Sequence, residues 1–158
     1  MTPKEKLLST WEQENKTTAK VLRAYPADKL DWKPHEKSRS TKELMQTFVT
    51  EGQAMLQICE GAVDWTTLTP PDLHTSEELI TAVEGMATQV ADKIKATSEE
   101  DLDKMMDFGG NQASRIDCLW MMMMDHIHHR GQFSVYIRMA GGLVPSIYGP
   151  SADEPMKA

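Results

Sequence analysis

Leu7, Trp11, Glu14, Thr18, Val21 and Tyr25 recur at alternating spacings of four and three, which places them on one face of a helix. Thr2 is a candidate N-cap with Pro3 at the first helical position, so this helix runs from Pro3 to about Tyr25, ahead of Pro26. A second helix opens at "STKE", where Ser40 and Glu43 can form a capping box, and runs to about Gly61. A third opens at "TSEE" with Thr75 and Glu78, carries the stripe Leu79, Val83, Met86, Val90 and Ile94, and runs to about Thr97. A fourth, capped by Ser114 and Asp117, ends at Gly141 and Gly142. Nothing reads convincingly as a sheet. The links "PADKLDWKPHEKSR", "AVDWTTLTPPDLH" and "SEEDLDKMMDFGGNQA" are longer than usual for a compact bundle, so parallel as well as antiparallel neighbours are open to the helices. The pattern predicts an all-α, four-helix bundle with long connections, and a proline-punctuated tail lying extended over it.

The fourth helix holds an unusual stretch, "MMMMDHIHHRGQFSVYIRMAGG". Cys118, Met122, Asp125, His129, Gln132, Tyr136 and Met139 form a heptad seam that is apolar at its ends and polar at its centre. Helix two has the matching stripe Leu44, Thr47, Glu51, Ala54 and Ile58, again polar at the centre. The two together predict one polar pocket inside the bundle. On this rotation His126, His128 and Arg130 point to the surface or an interface, and burying Arg130 instead would need the helix turned by one residue. Asp125 and His129 stand one turn apart, so both can reach one ion, with facing helices supplying the remaining ligands. Imidazole plus carboxylate suits zinc, nickel, manganese or iron. The competing reading is a satisfied hydrogen-bonded pair, Asp125 with His129, beside Glu51 or Thr47.

The 158 residues carry a formal charge of −7 and a pI near 5.2, with acidic residues spread along the chain. That fits one domain over residues 1–158 and gives no basic stripe for nucleic acid. Cys59 and Cys118, both in helical segments, read as buried reduced thiols. No apolar run is long enough to span a bilayer and the N-terminus lacks the apolar core of a signal peptide, so the expectation is a soluble cytoplasmic protein with no membrane partner. There is no phosphate loop, CxxC pair or nucleophile elbow. The tryptophans read as core or edge packing, and His35 and His74 as solvent-facing loop residues. The four consecutive methionines cover a full turn, so one or two must face outward. That turn marks a packing surface and predicts a homodimer.

"DWKPHEKSRSTKEL" followed by "HHRGQFSVYIRMAGGLVPSIYGPSADE" resembles the DinB superfamily, whose members are often labelled DNA-damage-inducible, over nearly the whole chain. The resemblance implies a four-helix bundle, commonly dimeric, with a divalent metal held by three histidines. It also implies metal-dependent transfer or isomerisation chemistry with low-molecular-weight thiols; the family's label does not imply a role in DNA repair. The family's last metal histidine matches His129; the one a turn earlier falls on Asp125, and the helix-two histidine falls on Thr47. Glu51, one turn beyond Thr47, is the natural substitute. His129, Asp125 and Glu51 then make a one-histidine, two-carboxylate metal site, shifted toward manganese, iron or magnesium. Gly131 is expected to permit close helix approach, and Arg130 to pair with an acidic residue or the tail. Two functions follow from this ligand set: a metal-dependent transferase or hydrolase acting on small thiol conjugates, or a metal-free binding or stress-response protein with a buried polar pair.

Overall fold

Three capping boxes start the first three long helices where the sequence places them. In each, the cap hydroxyl accepts from the backbone three residues on, and the glutamate there accepts from the cap's own amide. The structure, a computed structural model, describes residues 1–156; the last two positions of the expected 1–158 domain lie outside them. Helix α1 spans Pro3–Arg23 after the Thr2 cap, α2 spans Thr41–Glu60 after Ser40, and α3 spans Ser76–Ala96 after Thr75. Gly61 ends α2 in the left-handed conformation. The last long helix, Arg115–Met139, is α5, with Ser114 as its N-cap.

The segment expected to be a plain link between the last two long helices holds structure of its own. A five-residue helix α4, Glu99–Asp103, leads into an antiparallel hairpin of β1, Met105–Phe108, and β2, Asn111–Ser114. Gly109 and Gly110 form its two-residue turn with φ of 64° and 85°, and both positive values suit the primed turn that matches strand twist. Four-residue strands are too short to show an alternation in sequence. The hairpin's contribution is to bury Met106 and bring Phe108 edge-on to Trp65.

Helices α1 and α2 each pack mainly against α3 and α5. Their apolar side chains gather into two clusters. One holds Leu7, Trp11, Met55, Ile58, Val90, Ile94, Leu119 and Met123; the other holds Val21, Leu22, Leu44, Phe48, Leu79, Phe133 and Ile137. Between them lies a polar layer of Glu14 and Thr18 from α1, Glu51 from α2, and His126 and Arg130 from α5, all buried. Helix α3 closes this layer with Met86, which packs on both clusters. Gly52 makes room for it: a Cβ there would stand 2.1 Å from Met86 Cγ.

A polar layer does lie inside, but of the residues expected there (Thr47, Glu51, Asp125, His129 and Gln132) only Glu51 is buried, because α5 is turned relative to the expected seam. The buried line is Leu119, Met123, His126, Arg130, Phe133, Ile137 and Ala140, one residue on from the anticipated one. Asp125, Gln132 and Met139 are exposed, while His126 and Arg130, expected outside, are each 1% exposed. His128 lies outside, as expected. Gly131 faces open space and brings no helix close. The physical reason for the rotation is that Arg130 finds partners in the core: Glu14 Oε2 at 2.6 Å, the Glu14 carbonyl at 3.0 Å, and the tail's Tyr148 hydroxyl. A buried charge is tolerated when it is paired and hydrogen-bonded in this way. The tail is clasped to the helices further on, Glu154 by Lys20 and Asp153 by Arg138. Among the described residues no helix is long and apolar enough to cross a membrane.

Candidate metal centre

Glu51 is the hub of the polar layer. It sits midway along α2, 4% exposed, with no backbone amide to receive, so its carboxylate depends on side chains from the facing helix. Its Oε1 accepts from His129 Nδ1 at 2.5 Å, and its Oε2 lies 3.2 Å from His126 Nδ1. The second contact is poorly aligned, and both of its atoms lack any other hydrogen-bond partner. Burial alone pushes the Glu51 carboxyl up, but the two imidazoles outweigh it and hold the group below its ordinary range. The contact with Glu51 in turn raises the pKa of His129, against the opposing effect of burial.

The tautomers follow from the neighbours. Arg130 Nη1 donates to Thr18 Oγ1 at 3.4 Å, which leaves the threonine proton for His126 Nε2, 2.9 Å away. The His126 proton therefore stands on Nδ1, toward Glu51. The ring itself is wedged edge-on against Trp11 and Phe48, with centroids at 5.3 and 4.8 Å. His129 is arranged alike: Nδ1 faces Glu51, while Nε2 lies 3.4 Å from Arg39 Nη1, an obligate donor. Both histidines thus aim at one buried carboxylate, and only His129 reaches solvent.

His129 and Glu51 form the floor of an open cleft of ≈ 470 Å³. Asp125 stands at its mouth, side chain 52% exposed, with Oδ1 3.9 Å from His129 Nδ1. Thr47 lines the same cleft, accepting from Arg39 Nη1 at 2.9 Å. The three residues expected as ligands are therefore brought together: one donor atom each from Glu51, Asp125 and His129 lies within 4.8 Å of the other two. Sequence reasoning missed His126 and Arg39. The buried seam through His126 carries five apolar residues, against four on the anticipated one, so a count of apolar matches holds a faint signal for it. Arg39 is a loop residue, and no pattern marked it.

These residues fit a single small divalent ion. Two carboxylates and one imidazole from two helices converge on one side, and Glu51 Oε2 is a buried acceptor without an aligned donor. As it stands, the 2.5 Å separation of His129 Nδ1 and Glu51 Oε1 is bridged by a proton, so metal uptake must displace that proton. The two cysteines play no part. Cys59 and Cys118 are buried, and burial raises both thiol pKa values away from the reactive thiolate.

Comparison with known proteins agrees with this architecture. A Bacillus subtilis (strain 168) protein, YrdA, is 27% identical over 152 residues, covering 93% of this chain and 89% of its own length. A DinB-like protein (YjoA) from Bacillus subtilis shares the fold with a TM-score of 0.73 at 23% identity, over 96% of this chain and 99% of that one. A DinB-like protein from Bacillus cereus ATCC 10987 does so with a TM-score of 0.76 at 21% identity, over 91% and 97%. The sequence profile of the DinB family matches residues 1–157, essentially the whole length, and the chain belongs to that family.

Proposed function

We propose that this protein is a metal-dependent enzyme in which Glu51, Asp125 and His129 hold one divalent ion and the cleft above them takes a small substrate, a thiol conjugate or a hydrolysable relative of one. The observation that carries the reading is the convergence of these three donors within one open cleft. The oxygen-rich set favours manganese or iron over the zinc or nickel that a three-imidazole site would prefer. When bound, such an ion supplies Lewis acidity toward a thiol or water. The chain's own part is positional. His126 and His129 fix the Glu51 carboxylate from both sides, Asp125 completes the set from the solvent side, and Met122 and Ala54 narrow the floor.

Metal analysis of protein purified without an affinity tag tests this directly. We expect a divalent ion near one per chain, a melting temperature lowered by chelator, and loss of both in His129→Ala, because an ion bound only to the native state stabilises it. Thr47→His should raise metal affinity by adding an imidazole at the cleft wall. One observation favours a second reading, a metal-free binding protein: both ring nitrogens of His129 already face protein groups, Glu51 and Arg39. In that case chelator and added manganese leave the melting temperature unmoved. His129→Ala still costs about 1–3 kcal/mol, by stranding a buried acceptor.

We further read the four long helices as one four-helix bundle that pairs with a second copy. Support comes from the outer face of α5, where Met121, Met124, Val135 and Met139 are all exposed. Light scattering at about 10–50 µM should give a dimer, and Met124→Glu a monomer. Wild type that remains monomeric there ends the dimer reading.

A further inference from the structure

The Arg39 guanidinium is the feature of the cleft that the metal reading leaves unused. Arg23, Arg130 and Arg138 each pair with a carboxylate, whereas Arg39 makes no ion pair among the described residues. Its Nη1 is directed at Thr47 Oγ1 and His129 Nε2, which leaves the Nη2 and Nε donors of the planar fork without a protein acceptor. Its backbone is fixed: Tyr136 donates its hydroxyl to the Arg39 carbonyl at 3.0 Å. Arg39 and His129 line both this cleft and a neighbouring one of ≈ 490 Å³, so Arg39 stands where the two meet. The first cleft also has an apolar lining, with Trp65, Leu68 and Pro70 from the loop after α2. Trp65 is 50% exposed there, an aromatic face held edge-on by Phe108.

We propose that this cleft binds small organic carboxylates with an apolar arm, the acid group taken by the Arg39 fork and the arm lying against Trp65 and Leu68. A guanidinium meets a carboxylate through two parallel hydrogen bonds, and no other basic side chain lines the cleft apart from His129. The cavity is of a size usual for small-molecule sites. This rests on reading the cleft as the functional site, and it narrows the substrate class of that reading to acids.

The test uses 4-phenylbutyrate and its neutral analogue 4-phenylbutyramide, titrated into the full-length protein by NMR, with chelator and again with manganese or zinc. The acid should shift the Trp65 indole and Arg39 signals and bind about tenfold or more tightly than the amide. Arg39→Gln should reduce the acid to the affinity of the amide and leave the amide unchanged; Trp65→Ala should weaken both. Equal binding of acid and amide, an Arg39→Gln variant that keeps the preference, or no binding of either below about 10 mM overturns the proposal. The two readings fail separately. Acid binding that needs Arg39 without any metal uptake removes the metal and keeps the carboxylate site. Metal uptake without acid preference does the reverse.

Discussion

Replacing Arg130 by methionine isolates the interaction that sets the rotation of α5. The guanidinium is 1% exposed and meets Glu14 Oε2 at 2.6 Å, the Glu14 carbonyl at 3.0 Å, Thr18 Oγ1 at 3.4 Å and the Tyr148 hydroxyl. Methionine fills most of the same volume, so the cost is electrostatic: the Glu14 carboxylate stays buried without its counter-charge. Removing one partner of a buried pair typically costs about 3–5 kcal/mol. Glu14 keeps one donor, the Tyr148 hydroxyl at 2.7 Å, which places the expected loss near the lower end, about 3 kcal/mol. For a chain of this size that lowers the melting temperature by roughly 6–12 °C. The double variant Arg130→Met with Glu14→Leu removes both charges and should recover most of the loss. Tyr148→Phe, which leaves the ion pair in place, should cost only about 1 kcal/mol. Urea unfolding at pH 7, followed by helical circular dichroism, measures all four proteins. The reasoning is refuted if Arg130→Met lies within about 1 kcal/mol of wild type, or if the double variant is no more stable than the single one.

Two pH dependences follow from the ionisable contacts. The raised His129 pKa means its contribution is complete below its ordinary value of 6.5 and fades as pH rises through the folded value. The lowered Glu51 pKa means its contribution is complete above 4.5 and fades as pH falls. In chelator-treated protein the stability gap between wild type and His129→Gln should therefore peak between those limits; a gap that stays flat over about pH 4–9 would count against the pair. At the tail, the hydrogen bond from Lys20 and those from the Ser146 amide and hydroxyl hold Glu154 down at a pKa of about 2. Its clasp should persist above 4.5 and release only as pH falls toward about 2, read from the Ser146 amide resonance; a midpoint near 4.5 would show that the clasp is absent in solution.

Local chemistry was written plainly in the chain. Thr2, Ser40, Thr75 and Ser114 begin the long helices because a cap hydroxyl and the residue three positions on satisfy each other, whatever surrounds them. The face of α1 from Leu7 to Tyr25 was equally legible, because every alternative rotation would expose Leu7, Trp11 and Val21 together. That Glu51 is buried and that His129 stands beside it followed from the same periodicity. Helix α5 was different. Two adjacent seams carry nearly equal apolar content, so its own sequence does not choose between them. The choice fell to residues far along the chain: Glu14 and Thr18 are 116 and 112 positions from Arg130, and only their packing opposite α5 makes a buried arginine and a buried His126 acceptable. Arg39 reaches His129 across 90 positions, from a loop with no periodicity to reveal it. The sequence alone determined where the four long helices lie; the tertiary structure decided which polar groups of α5 go inside and which partners they meet, because a buried charge is stable only where another element has already placed its counterpart.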